Sequence, residues 1–149
     1  KIQQEGARAL AFAQTHHRKT IVLAGRPYHV DPQINHGIHR LLSNLGFVVV
    51  SEDSIPKQSQ RPSIHVLNQW TFHARMYNAA QFVTTQNDME LIQLVSFGCG
   101  IDAITADEVK DILRRHNKLY TQIKIDEVDN LGAIRIRVRS LLAAMEERK

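Results

Sequence analysis

Four short apolar runs punctuate the chain, and stretches with helical spacing separate them. Thr20-Ile21-Val22-Leu23-Ala24 closes on Gly25. Phe47-Val48-Val49-Val50 runs into the polar turn Ser51-Glu52-Asp53-Ser54. Glu90 begins a third run, Leu91-Ile92-Gln93-Leu94-Val95, and Leu119 opens a fourth that ends at Ile125. Continuous apolar runs such as the first two mark strands buried on both faces, over 20–24 and 47–50, and further strands are predicted over 90–96 and 119–125.

The helical stretches are as regular. Residues 1–17 place Ile2, Ala9, Leu10 and Ala13 on one side and end in His16-His17-Arg18-Lys19, cations suited to a solvated helix C-terminus. Asp31 and Pro32 read as N-cap and first helical residue of a helix carrying Ile34, Ile38, Leu41, Leu42 and Leu45, with Gly46 ending it. A polar, linker-like segment spans 56–62. Helical spacing resumes at Ser63 with Ile64, Leu67, Trp70 and Ala74 and continues through Ala79, Phe82 and Val83 to Asn87. Gln81-Phe82-Val83-Thr84-Thr85 is not read as a strand, because too little chain follows it for a parallel crossover of about a dozen residues. Thr105-Ala106-Asp107-Glu108 has the form of a capping box ahead of Val109, Ile112 and Leu113. The last helix aligns Leu131, Ile134, Val138, Leu141, Leu142 and Met145, with Arg135, Arg137 and Arg139 off that stripe.

Strand and helix alternate four times. The expected fold is α/β: a doubly wound, four-stranded parallel sheet with helices on both faces, flavodoxin-like or Rossmann-like, in one domain over 1–149. A strand order 2-1-3-4 sets the first and third loops side by side. Ligands of such sheets bind outside the carboxyl ends of the strands. Four loops gather there, over 25–31, 51–54, 96–102 and 126–130.

Composition narrows the function. The 149 residues carry 19 Lys and Arg against 15 Asp and Glu, a net charge of +4. That excess is too small and too local, near Arg135 to Arg139, for a nucleic-acid surface. No apolar run approaches the ~20 residues of a membrane span. The N-terminal segment does not have the pattern of a signal peptide. The single cysteine suits a reducing cytoplasm, so a cytoplasmic location is expected. Because the chain begins at Lys1, it is expected to be cut from a longer multidomain protein.

The cysteine sits in Ser96-Phe97-Gly98-Cys99-Gly100-Ile101-Asp102, between two glycines and ahead of a helix. Glycine permits close approach of a partner, and a helix N-terminus lowers a thiol pKa. A packed core thiol is the competing reading. Arg26, in Gly25-Arg26-Pro27-Tyr28-His29, can take a phosphate or carboxylate, or pair with Asp53 or Glu127. His29, His36 and His39 with Cys99 match no zinc spacing. Neither GxxxxGK[ST] nor GxGxxG occurs, so no ATP site is expected in this chain.

Several motifs resemble one family. They are Gly25-Arg26-Pro27-Tyr28-His29, Asp31-Pro32, Ile34-Asn35-His36-Gly37-Ile38, Ser96-Phe97-Gly98-Cys99-Gly100-Ile101-Asp102-Ala103, Lys124-Ile125-Asp126-Glu127 and the run from Asn130 to Leu141. Over roughly 21–145 they resemble the large activase-related proteins of 2-hydroxyacyl-CoA dehydratases. Those proteins join ATPase activase modules to regions similar to the dehydratase iron–sulfur subunits. The resemblance implies ATP-driven, low-potential electron transfer to a dehydratase, with Cys99 as a ligand of a 4Fe–4S cluster. It implies that Arg26, Tyr28, His29, His36, Gly98, Gly100, Asp102 and Asp126 line the site. A cluster needs several thiolates and the chain has one, so the remaining ligands are expected from elsewhere. The expected partners are other domains of the same polypeptide and a dehydratase. The rival readings are a domain binding acyl-CoA or another anion through Arg26 and the helix N-termini at Asp31 and Thr105, and a docking scaffold.

Overall fold

The computed structural model describes residues 2–25, 37–55, 71–95, 100–124 and 131–147. In chain order these form α1 (Ile2–Thr15), β1 (Thr20–Ala24), α2 (Ile38–Asn44), β2 (Val48–Ser51), α3 (Thr71–Thr84), β3 (Met89–Val95), α4 (Gly100–Arg115), β4 (Tyr120–Lys124) and α5 (Leu131–Glu147). The strands make one sheet in the order β2-β1-β3-β4, and every pairing is parallel. Each strand lies within a residue of its expected bounds, and the strand order, which the sequence left open, sets the ends of β1 and β3 side by side. The chain adopts the doubly wound, flavodoxin-like α/β arrangement.

Burial explains why the two central strands read so plainly. All five residues of β1 and all seven of β3 are buried, because helices cover both faces of the sheet. Val22, Ala24, Met89 and Leu91 point to one face, where Ala9 and Leu10 of α1, Met76, Ala80 and Val83 of α3, and Val109 and Leu113 of α4 cover them. Ile21, Leu23, Ile92 and Leu94 point to the other, against Ile38 and Leu42 of α2 and Ile134, Val138 and Met145 of α5. Alternate residues of one strand thus feed two separate cores.

The helix ends show where local pattern misleads. α2 closes as expected, with Gly46 at φ +96°, Gly46 N–H on Ser43 O and Phe47 N–H on Leu42 O, a Schellman ending. Its start differs. Asp31 and Pro32 lie outside the described residues, and α2 begins at Ile38, after Gly37 at φ +84°. A left-handed residue there breaks the helical path the apolar spacing suggested. The capping box at Thr105 is also corrected: α4 starts five residues earlier, at Gly100, and Thr105 lies inside it, fully buried. Its hydroxyl is used against α3 rather than on the helix end. α3 ends at Thr84 rather than Asn87, and no strand forms over 81–85.

Two side-chain clamps hold the periphery. At the amino edge, Lys118 sends its ammonium onto the carbonyls of Gln86, Asn87 (3.4 Å) and Met89 (3.1 Å), tying the entry of β4 to the entry of β3. Burial pulls its pKa below the usual lysine value, against the pull of Asp88. At the outer edge, Arg137 donates to Gln122 O of β4 at 2.6 Å and blunts an edge strand that would otherwise offer that carbonyl to another chain.

α1 is seated on the turn after β2 through Gly6. A Cβ built on Gly6 would lie 1.8 Å from Ser54 O, so no larger residue fits without moving backbone. Gly6→Ala is expected to cost at least about 2 kcal/mol despite the better helix propensity of alanine, read as a lower urea midpoint. A midpoint equal to the parent's would show that the contact is slack. Lys118→Met leaves three carbonyls without their donor and is expected to cost about 1–3 kcal/mol in the same melt. An unchanged midpoint would mean that solvent replaces the clamp at no cost.

Candidate functional site

The sheet order decides where a site can form. β1 hands the chain to β2 on one side, and the chain returns across it to β3 on the other. The chain therefore goes from the ends of two adjacent strands, Ala24 and Val95, to helices on opposite faces of the sheet, the switch point at which sheets of this kind bind ligands. Along that edge the exits run in the order of residues 52, 25, 96 and 125. The gathering of four loops expected from the sequence follows directly from this register.

Most of the predicted site residues leave from that edge, but their side chains are not described. Arg26, Tyr28, His29, His36, Gly98, Cys99 and Asp126 lie outside the described residues. Gly100 is the first residue of α4 and Asp102 stands in its first turn. The corrected start of α4 bears on Cys99, the residue before Gly100. A helix N-terminus carries unpaired amide donors and the positive end of the dipole, a setting that favours a thiolate or a phosphate oxygen. The zinc combination is likewise outside the description, save for His39 in α2. Among the described residues no three His, Cys, Asp or Glu groups converge as a metal would need.

Two polar features at this end of the sheet escaped the sequence reading. Glu52, the first residue past β2, is only 5% exposed. Burial pushes its carboxyl up to about 7; its own backbone N–H and Arg75 oppose this, and Asp53 adds to it. Glu52 Oε2 and Arg75 Nε are both buried without a hydrogen-bond partner. An acid directly after an apolar strand and before the buried Ile55 was the available signal, but only the packing of α1 and α3 makes it a buried acid.

The second feature joins α3 to α4. Tyr77 is 1% exposed and shares a hydrogen bond with the buried Thr105. Burial holds the phenol above its usual pKa, and the nearby Glu108 adds to the rise. This link fixes the helix that begins after Cys99 to the helix that follows β2.

Two grooves formed by described residues lie elsewhere. One of about 420 Å³ runs between α1 and the entry of β3, past Gln14, Arg18, Phe82 and Asp88. Another of about 250 Å³ adjoins it at His116, Asn117 and Lys118. Both lie at the amino edge, where Lys118 is already committed to backbone carbonyls, opposite the end where this topology places ligands.

Comparison with known proteins reaches the first third of the chain. Residues 1–55 match the family described as CoA enzyme activase uncharacterised domain (DUF2229). The match spans α1, β1, α2 and β2, including the Gly25-Arg26-Pro27-Tyr28-His29 loop and the turn holding Glu52. It supports an activase-related assignment and does not extend to the dehydratase subunits. No curated protein and no solved structure matches the chain. No helix among the described residues is long and apolar enough to cross a membrane.

The Tyr77–Thr105 link is testable without a ligand. A cycle of Tyr77→Phe, Thr105→Val and the double variant is expected to give a coupling of about 1 kcal/mol in chemical denaturation. Additive effects would show that the two hydroxyls act independently.

Proposed function

We propose that this chain is a non-ATPase α/β domain of an activase-related protein, and that it supports ATP-driven, low-potential electron transfer by supplying Cys99 to an iron–sulfur centre. The observation that carries the reading is the position of Cys99 in the chain: β3 ends at Val95 beside β1 in the sheet, α4 begins at Gly100, and Cys99 is the residue before that helix. The match of residues 1–55 to an activase domain supports the family context.

The donor set limits the role. A 4Fe–4S cluster is held by several thiolates, and this sequence contains one cysteine. The chain alone does not fit such a cluster. Its contribution is one ligand and the helix N-terminus behind it; other domains or a dehydratase partner complete the set. Arg26, Tyr28, His29, His36, Gly98, Asp102 and Asp126 are the residues proposed to line the same site.

A second reading is favoured by the early start of α4. Its unpaired amides suit a phosphate as well as a thiolate, so an acyl-CoA or related anion is the alternative ligand. The readings separate on the full-length native protein. After anaerobic reconstitution, iron and sulfide are expected to be retained by the parent and lost from Cys99→Ala. Equal content in both, or none in either, removes Cys99 as a ligand. Calorimetric heat on adding CoA, unchanged in Cys99→Ala, would then favour the anion site.

A further inference from the structure

The turn between β2 and the residues after Ile55 is tightly built around a group that can change charge. Ser54 folds back, with its N–H at 3.1 Å and its hydroxyl at 2.7 Å from Ser51 O, while Ser51 Oγ donates to Asp53 Oδ1 at 2.6 Å. That geometry turns Glu52 inward and presents Ser54 O to α1. Gly6 of α1 is buried against it with no room for a side chain. Beneath, Glu52 Oε2 and Arg75 Nε are shut away from solvent, each without a hydrogen-bond partner.

We propose that the turn over 51–55 is a proton-controlled latch for α1. With Glu52 protonated, the turn stays packed and Gly6 keeps its seat. With Glu52 ionised, a buried oxygen that accepts no hydrogen bond carries charge, and the turn opens to hydrate it, freeing the first half of α1. Burying an ionised carboxylate without full hydrogen bonding is far costlier than burying the neutral acid.

Among the described residues the charges that act on this carboxyl are Asp53 of its own turn and Arg75 of α3. α1 brings Glu5 and Arg8, which are exposed and pair with each other at 3.1 Å. β1 brings Leu23, opposite Ser51. Burial raises the Glu52 carboxyl from 4.5 to about 7. A raised acid pKa means that the packed state holds the proton more tightly than the open state. Packing is therefore favoured in full below about 4.5, and the advantage is lost as pH rises through about 7.

Amide hydrogen exchange, corrected for intrinsic rates, reads this directly. From pH 5.5 to 8.0 the opening constant of the 51–55 turn and of the amides around Gly6 is expected to rise roughly 20-fold, while amides in α4 stay constant. Glu52→Gln cannot ionise and is expected to show no such rise. Asp53→Asn removes the charge that disfavours ionisation and is expected to move the midpoint to lower pH; it serves if Glu52→Gln does not fold. Protection independent of pH in the parent, or an equal rise in Glu52→Gln, would overturn the latch, as would an unmoved midpoint in Asp53→Asn.

Discussion

The pairing of β1 with β3 is the constraint on which the rest of this structure depends. Thr20 to Ala24 lie alongside Met89 to Gln93 in register, every one of those residues buried. Two parallel strands cannot be joined by a tight turn. The chain travels out to β2 and back through α3, and the detour puts helices on both faces of the sheet. Polar residues within the pair are paired in turn. Glu90 takes the Leu119 N–H at 3.0 Å, and Gln93 takes the Tyr120 hydroxyl at 3.0 Å, so the central strand recruits β4 through side chains as well as backbone. Weakening this pair would loosen both cores and the site together.

The two central strands were legible because burial on both faces leaves no choice but a continuous apolar run, whereas β2 and β4, at the sheet edges, are mostly half-buried. Helix faces were legible for the complementary reason: Ile134, Val138, Leu141 and Met145 of α5 fall on one stripe and are all buried. Helix starts were not. Thr105 to Glu108 satisfy the local rule for a cap, yet Thr105 sits inside α4, where Tyr77 uses its hydroxyl. A cap signal and a buried tertiary hydrogen bond need the same residue types, so sequence alone does not separate them. Gly37 misled in the opposite way, since apolar spacing across it gave no sign of its left-handed turn.

Alternation of strand and helix made the parallel sheet legible but not the order β2-β1-β3-β4, which sets the ends of β1 and β3 side by side; the candidate residues that follow those ends lie outside the described residues. Glu52 was not legible as a buried acid, because its environment is made by Gly6 and Arg75, 46 residues behind it and 23 ahead. The family match ends at residue 55 and does not reach Cys99.

The proposed function requires that Cys99 be presented at the carboxyl edge beside the N-terminus of α4 rather than packed in a core. Its alkylation rate in the native protein, followed against pH with iodoacetamide, tests this most directly. The account predicts prompt reaction with a thiol pKa below the ordinary value of about 8.5. A thiol that reacts only after denaturation, or titrates above that value, would contradict it.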